Sequence, residues 1–178
     1  MKIKVLEKTE GCFPYKFSQG DWFDLVLAEG LELDAPMATR LYRKKNKETK
    51  EVEKPRDVEF QYCIAKLGVC MELPKGFEAI VAPRSSTFKK WGVLMNNSLG
   101  VIDNSYNSDE DEWGMPIVAT RKVFIPKHTR IAQFRIQLSQ NATMWQKIKW
   151  LFSSKVEFEK VESLGNTKRG GFGSTGEK

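Results

Sequence analysis

The chain has 178 residues, of which 40% are hydrophobic and 29% charged, enough for one globular domain with its own core. No stretch approaches the ~18 consecutive apolar residues of a membrane span, and three irregularly spaced cysteines with one histidine argue against a zinc site or a disulfide framework. Half of the formal net charge of +6 lies between Arg40 and Glu59, where eight basic residues are mixed with five acidic ones. Because a groove for single-stranded nucleic acid interleaves cations with aromatic rings, which are absent between Arg43 and Glu59, we expect no long nucleic-acid partner.

The N-terminal segment alternates polar and apolar residues from Met1 to Lys8, which predicts a short strand. It lacks the charged head and apolar run of a secretory signal, so we expect a cytoplasmic protein. In that compartment Cys12, Cys63 and Cys70 are expected to be reduced and mostly buried.

A second strand pattern runs from Phe17 to Leu33 and contains the sequence G-D-W-F-D-L, in which Asp24 is the second carboxylate. An aspartate at a strand edge often closes a turn, and it also suits a site that needs a fixed carboxylate. Asp24 is therefore a candidate functional residue with a structural alternative.

The segment 36–58 differs in composition from its surroundings, since it mixes charges of both signs and contains Pro55. This composition predicts a solvated insertion loop. The alternative is that residues 40–56 contact a protein partner.

The alternation from Val58 to Lys66 predicts one strand, a turn follows at 73–76, and a further strand begins at Phe77 and leads to Arg84. Repeated short strands without a long helix predict an all-β antiparallel sandwich or jelly roll. One or two short helices are expected as well. Ser85 to Trp91 is long enough for a single turn, and Met144 to Phe152 places five apolar side chains on one helical face, capped by Asn141 or Thr143.

A group of polar residues follows the strand that ends at Ala82. Arg84, Ser85 and Ser86 supply a guanidinium and two hydroxyls, which suit the charged oxygens of phosphates. Downstream, Asp103 ends an apolar strand and Tyr106 follows it in a turn. A carboxylate at such a position can act as a general base.

Four sequence motifs occur in a characteristic order: P-R-S-S at 83–86, G-V-I-D-N-S-Y at 100–106, R-I-A-Q at 130–133 and R-G-G-F-G-S-T-G at 169–176. This order resembles the trimeric dUTPase family over residues 15–35 and 68–176. The resemblance implies a homotrimeric jelly roll, or distorted β-barrel, that hydrolyses dUTP to dUMP and pyrophosphate with Mg²⁺. It also implies a β domain at 1–164 and a flexible C-terminal arm at 165–178 that reaches the site of another subunit.

The resemblance implies a catalytic group made of Asp103, which activates water, Ser85, which bonds oxygens near the breaking bond, and Gln133, which donates to the α-phosphate. Arg130 is expected in an ion pair nearby. Asp24 would act on the metal through water, or hold the phosphate-binding arginine, although Trp22 stands where the family has a glycine.

The remaining implied roles concern substrate binding. Tyr106 would pack beneath the deoxyribose, Asn97 would present an amide to the base, and Arg84 and Ser86 would bind phosphate. In the arm, Phe172 would stack on uracil, Arg169 would meet the γ-phosphate, and Gly173, Ser174 and Thr175 would cover the phosphates.

Two features lie outside the motifs, and two other functions remain open. An acidic segment at 107–113 replaces the family's plain strand, and we expect it to be solvated. His128 lies in a polar turn, where we expect a structural or solvated role. The alternatives to a dUTPase are a dCTP deaminase of the same fold, which needs a glutamate where this chain has M-P-I-V-A-T, and a nucleotide-dependent regulatory protein that uses the insertion.

Overall fold

The computed structural model describes residues 1–16, 20–38, 44–45, 52–53, 58–152 and 155–168. In chain order the described elements are β1 (Lys2–Glu7), β2 (Phe23–Val26), β3 (Leu31–Leu33), β4 (Met37–Ala38), β5 (Lys44–Lys45), β6 (Val52–Glu53), β7 (Val58–Glu59), β8 (Tyr62–Lys66), β9 (Val69–Glu72), β10 (Phe77–Pro83), α1 (Thr87–Trp91), β11 (Val93–Met95), β12 (Gly100–Asp103), β13 (Gly114–Ala119), β14 (Val123–Ile125), β15 (Arg130–Leu138), α2 (Met144–Phe152) and β16 (Glu157–Val161). The predicted all-β fold with two short helices is confirmed.

The sheets are small and almost entirely antiparallel. A four-stranded sheet has the order β12-β10-β15-β2, and two three-stranded sheets have the orders β16-β1-β9 and β11-β13-β8. Strand β1 pairs in parallel with β16, so the first strand of the chain lies beside the last described one. Neither described helix has the length or apolar content that crossing a bilayer would need.

An aromatic cluster fills the core beneath the four-stranded sheet. The ring centroids of Trp113 and Phe134 lie 5.1 Å apart, and those of Phe23 and Phe158 lie 4.7 Å apart, both edge to face. Such pairs are worth roughly 0.5–1.5 kcal/mol beyond the burial of their area. This cluster fixes the strands that carry the polar residues described below.

The predicted strand at Val58–Lys66 is interrupted. Residues 58–59 pair with β4, whereas Tyr62–Lys66 pairs with β13, and Gln61 between them accepts a hydrogen bond from the Asp34 backbone at 2.6 Å. The expectation of one continuous strand was wrong, because its two ends pair with strands of two different sheets. Within the insertion, the described strands β5 and β6 pair with each other.

Helix α2 lies where it was predicted, and the side with Gln146 and Trp150, rather than its apolar face, is turned toward the domain. Thr143 and Gln146 form a capping box, and Trp150 packs against Phe77 at 5.3 Å between centroids. Gln146 also donates to the Lys75 carbonyl, so the face that contains residues 146 and 150 is turned toward the domain. The apolar face was expected to pack on the sheet or on a neighbouring subunit. It does not pack on this chain's sheet, because its side chains are exposed within the chain, at Met144, Trp145, Ile148, Leu151 and Phe152.

The cysteines and the lone histidine have the expected environments. Cys12 and Cys70 are buried, Cys63 is half-buried, and all three thiols are free. The Nε2 atom of His128 lies 2.9 Å from the carbonyl oxygen of Glu10, which is a structural contact.

The acidic segment after Tyr106 is partly buried. Ser108 and Asp111 are buried, at 2% and 1% exposure, and the Ser108 backbone donates to the Asp111 carboxylate at 3.0 Å. The expectation of a solvated segment holds for Glu110, which is exposed, and was wrong for Asp109 and Asp111, whose carboxylates accept hydrogen bonds from backbone N–H groups of the fold.

Candidate active site

Strand register brings two predicted site residues together. Gln133 of β15 pairs with Asp24 of β2 on one side and with Ala82 of β10 on the other. Directly paired residues project from the same face of a sheet, and the next residue along each strand projects from the opposite face. Asp24 and Gln133 therefore share a face, while Phe23 and Phe134 enter the core.

A β-bulge turns Arg130 toward that polar face. Arg130 pairs with Val26 and Ala132 pairs with Leu25, so Ile131 is an extra residue on β15. Without it, strict alternation would place Arg130 on the core side with Ala132. Ile131 instead is fully buried, and Arg130 lies beside Asp24.

Asp24 is the centre of a charged cluster. Its carboxylate is 6% exposed, and its two oxygens contact different guanidiniums: Oδ1 lies 3.1 Å from Nε of Arg84, and Oδ2 lies 3.3 Å from Nη1 of Arg130. One buried carboxylate between two guanidiniums leaves a net positive charge. Arg84 uses Nε for this contact, so its terminal Nη groups are not needed for it.

These charges line an open cavity of about 390 Å³. A cavity of this size falls in the range of small-molecule sites. Asp21 also lines it, but its side chain is fully exposed and lies 3.9 Å from the Lys16 amine. The lining residues are Gly20, Asp21, Trp22, Asp24, Arg84, Arg130 and Gln133. The two guanidiniums make the cavity suitable for an anion.

The turn that carries Arg84 is tied to the bulge. The carbonyl of Ile131 accepts the Arg84 backbone N–H at 3.2 Å and the Thr87 hydroxyl at 2.8 Å. Ser85 and Ser86 lie between these anchors and are exposed, at the start of α1. Thr87 is buried and was not singled out in the sequence, where nothing distinguishes it from an ordinary helix residue.

Tyr15 is a second residue that sequence analysis missed. It forms an isolated bridge with Asp24, whose backbone N–H donates to the Tyr15 carbonyl at 2.8 Å. Burial raises the pKa of the Tyr15 phenol, an effect opposed by the nearby charges of Arg130 and Arg84 and reinforced by Asp24. No periodic signal identifies this residue, because the bridge is a single pair.

Asp103 lies at the other end of the same sheet. It pairs with Glu78 near the start of β10, whereas Arg84 follows the end of that strand. Glu78 and Arg84 are six positions apart along an extended chain, so Asp103 and Arg84 are about 20 Å apart within one chain, at ~3.3 Å per residue. The Asp103 carboxylate accepts the Ser105 backbone N–H at 2.8 Å and the Ser105 hydroxyl.

Comparison with known proteins identifies the family. A family model described as dUTPase matches residues 49–176. The SPbeta prophage-derived deoxyuridine 5'-triphosphate nucleotidohydrolase YosS of Bacillus subtilis is 40% identical over 178 residues, covering 100% of this chain and 99% of the relative. The chain belongs to the dUTPase family.

Solved dUTPase structures share the fold. The dUTPase of Streptococcus mutans is 18% identical with a TM-score of 0.59, and the alignment covers 80% of this chain and 99% of that one. A dUTPase of Staphylococcus bacteriophage 80alpha is 16% identical with a TM-score of 0.56, covering 80% and 93%; it is described among phage dUTPases that control transfer of virulence genes.

Within this dUTPase-family chain, the predicted site residues fall into separate groups. Asp24, Arg84 and Gln133 line one cavity, with Ser85 and Ser86 in the adjoining turn. Asp103 and Tyr106 lie at the opposite end of the sheet, where the Tyr106 hydroxyl donates to the Glu112 carbonyl at 3.1 Å and burial raises the pKa of its phenol. Asn97 is exposed in the turn between β11 and β12. The arm residues Arg169, Phe172, Gly173, Ser174 and Thr175 lie outside the described residues.

The donor set fits a magnesium ion only in part. Among the described residues no cluster of three or more His, Cys, Asp and Glu side chains is arranged to hold a metal. Both oxygens of Asp24 are engaged by arginines. Mg²⁺ usually keeps several waters and binds through substrate phosphates, so a triphosphate complex with Asp24 beyond the water shell is compatible with these residues.

Proposed function

We propose that this protein is a dUTP diphosphatase that converts dUTP and water to dUMP and pyrophosphate. Membership of the dUTPase family supports dUTP nucleotidohydrolase activity. The observation that carries the site assignment is the buried Asp24 carboxylate, which fixes Arg84 and Arg130 in the wall of one cavity. Preorganised guanidiniums bind phosphate oxygens without rearranging, which lowers the barrier where negative charge develops.

The proposed chemistry is an in-line displacement at the α-phosphorus. The oxygen of a water molecule bonds to the α-phosphorus, the bond from that phosphorus to the α–β bridging oxygen breaks, and pyrophosphate leaves with the electron pair. Asp103 orients the water and accepts its proton. Ser85 and Gln133 donate hydrogen bonds to oxygens around the α-phosphorus. When Mg²⁺ is bound, it neutralises charge on the phosphates.

Each site in this proposal is built from more than one chain. Asp103 and Arg84 are about 20 Å apart within a chain, too far to contact the same α-phosphate. A heterologous interface in a closed C3 trimer brings one end of the sheet against the other end of a neighbouring copy. The homotrimer therefore forms three sites, each with Arg84 from one subunit and Asp103 from another.

Substrate selection belongs to the Asp103 end of the sheet. The ring of Tyr106 packs beneath the deoxyribose and leaves no room for a 2′-hydroxyl, and Asn97 presents its amide to the base.

Arg84 and Ser86 bind phosphates. The arm at 165–178 closes over the substrate, with Phe172 on uracil, Arg169 at the γ-phosphate, and Gly173, Ser174 and Thr175 around the phosphates. Closure of this kind excludes water other than the nucleophile.

The two alternative functions differ in their support. Strand β13, which follows the Asp103 turn, reads G-M-P-I-V-A and holds no glutamate for dCTP deamination. A regulatory role through residues 40–56 is a second proposal, which rests on the phage dUTPases with a similar fold. Most of that segment lies outside the described residues.

The test is a substrate comparison. We expect the protein with Mg²⁺ to release pyrophosphate from dUTP and not from dCTP, dTTP or UTP. Asp103→Asn should lower kcat by several orders of magnitude, because the water loses its proton acceptor. Ser105→Ala is the matched control, since it removes a hydrogen bond to Asp103 and leaves the carboxylate. Ammonia release from dCTP, or equal hydrolysis of all four nucleotides, would refute the proposal.

A further inference from the structure

The acidic segment at 107–112, called here the acidic tip, contacts the last described stretch of the chain. Asp109 accepts two hydrogen bonds from it: Oδ2 from the Ser163 hydroxyl at 2.7 Å, and Oδ1 from the Leu164 backbone N–H at 2.6 Å. Leu164 is 7% exposed, so its side chain is buried at this point. One carboxylate thus engages two consecutive residues.

Further contacts follow along residues 163–168, called here the arm root. The Asn166 side chain donates to the Asn107 carbonyl at 3.1 Å, and the Lys168 amine lies 2.8 Å from the Glu110 carboxylate. Glu110 and Lys168 are exposed, so this pair adds little on its own. Together with the Asp109 hydrogen bonds, these contacts connect the arm root to the acidic tip from Ser163 to Lys168.

The tip itself is firmly held by the domain. The Asp109 carbonyl accepts a hydrogen bond from the Lys8 amine at 2.9 Å and a weaker one from the Cys70 thiol at 3.4 Å. The Gly68 backbone donates to the Glu112 carboxylate at 3.0 Å. Because the segment is anchored at the Asp109 backbone and again at Glu112, the Asp109 carboxylate has a fixed position.

We infer that Asp109 is a positioning residue that fixes the arm root against the acidic tip, so that the C-terminal arm starts from a defined point. This rests on the proposed function of the arm. Fixing residues 163–168 in one position limits the region that the residues after them can reach, which raises the effective concentration of those residues at the site. The acidic tip follows the Asp103 turn directly in the chain. The Tyr106 hydroxyl of that turn also donates a hydrogen bond to the Glu112 carbonyl, so the turn and the tip are in contact.

The charge state of Asp109 agrees with this role. Hydrogen bonds from Ser163 and Leu164 lower its pKa from the ordinary value. The carboxylate therefore stays ionised at neutral pH and accepts both hydrogen bonds.

The direct test measures the anchor without measuring activity. We expect Asp109→Ala to speed hydrogen exchange of the Leu164 amide by about tenfold or more, because the amide loses its acceptor. Asp109→Asn keeps one acceptor and should give an intermediate rate. If Asp109→Ala fails to fold, Ser163→Ala removes the hydroxyl that donates to Asp109 and accepts from the Gly165 backbone N–H, and it should also speed exchange of the Leu164 amide. Glu29→Ala removes an exposed carboxylate from the turn between β2 and β3 as a matched control. Unchanged Leu164 exchange in Asp109→Ala would overturn the anchor.

The kinetic test separates positioning from general damage. Losing the anchor lowers the fraction of molecules with a well-placed arm, so KM for dUTP should rise about three- to tenfold while kcat changes little. In a Phe172→Ala background the same substitution should add nothing, because the arm's contribution is already lost. An equal rise in KM in both backgrounds would overturn the positioning role. If the unsubstituted protein does not hydrolyse dUTP, the proposed function fails and the exchange measurement alone decides the anchor.

Discussion

The Nε atom of Arg84 lies 3.1 Å from Oδ1 of Asp24, although β15 separates the strands that carry them. Strands are spaced about 4.8 Å apart, so the contact spans roughly 10 Å between backbones. An arginine side chain is long enough, and its rigid planar head keeps further donors available beyond the carboxylate. The pair links the turn after β10 to the edge strand of the sheet.

Removing the carboxylate of this pair should loosen both arginines. We expect Asp24→Asn to raise KM for dUTP about tenfold and to lower the free energy of unfolding by about 2 kcal/mol, since two guanidiniums lose their shared counter-ion. Steady-state kinetics and urea denaturation measure the two effects. Asp21→Asn is the control, because that carboxylate lines the same cavity but is fully exposed. An equal effect of the two substitutions would contradict the role of Asp24.

The Thr87 hydroxyl should contribute to both stability and placement of the turn. Thr87→Val keeps the shape but removes the hydrogen bond to Ile131, so we expect a loss of about 1 kcal/mol and a higher KM. Thr87→Ser keeps the hydroxyl and should retain the KM. Thermal unfolding and kinetics of the pair would check this, and a Val variant that matches the Ser variant in KM would refute it.

The buried thiols should make stability fall at alkaline pH. Burial raises the pKa of Cys70 from 9.0 to about 12 and also raises the pKa of Cys12 and Cys63. Between pH 9 and 12 the unfolded Cys70 loses its proton while the folded one keeps it, so stability declines as pH rises through this window. Below pH 8 the Cys70 thiol keeps its proton in both the folded and the unfolded chain, so it adds no pH dependence to the free energy of unfolding.

Cys70→Ala gives the measurement for that prediction. Unfolding free energies at pH 8 and pH 10 should differ less in this variant than in the unsubstituted chain. A thiol reagent at pH 8 should label half-buried Cys63 before the other two. Labelling of Cys70 first would show that its thiol is not protected.

Sequence patterns predicted the elements whose signal is local. The alternation at Lys2–Glu7, the capped helix at Met144–Phe152 and the ordered motifs around Arg84 and Asp103 all depend on neighbours in the chain. The face shared by Asp24 and Gln133 depends instead on which strands pair and in what register. Short-range periodicity contains no information on that pairing.

Two features show why the remainder was not predictable. The bulge at Ile131 inverts the alternation of β15, and the sequence R-I-A-Q read with a period of two would place Arg130 in the core. The acidic tip has the composition of a solvated loop, yet the Asp109 carboxylate accepts hydrogen bonds from Ser163 and Leu164, and the Asp109 backbone carbonyl accepts one from Lys8. Those partners are distant in sequence, so no local pattern reveals them.

In the proposed trimer, each catalytic site takes Arg84 and Asp103 from different chains. Arg84→Ala and Asp103→Asn chains should each be inactive toward dUTP. After the two are unfolded together and refolded as a 1:1 mixture, about a quarter of the sites should hold both intact residues and activity should return to about a quarter of the unsubstituted level. Arg84→Ala mixed with Asp24→Asn is the control and should recover nothing beyond the separate chains, because those residues act from the same subunit. Failure of the first mixture to regain activity, with trimers formed, would contradict the shared site.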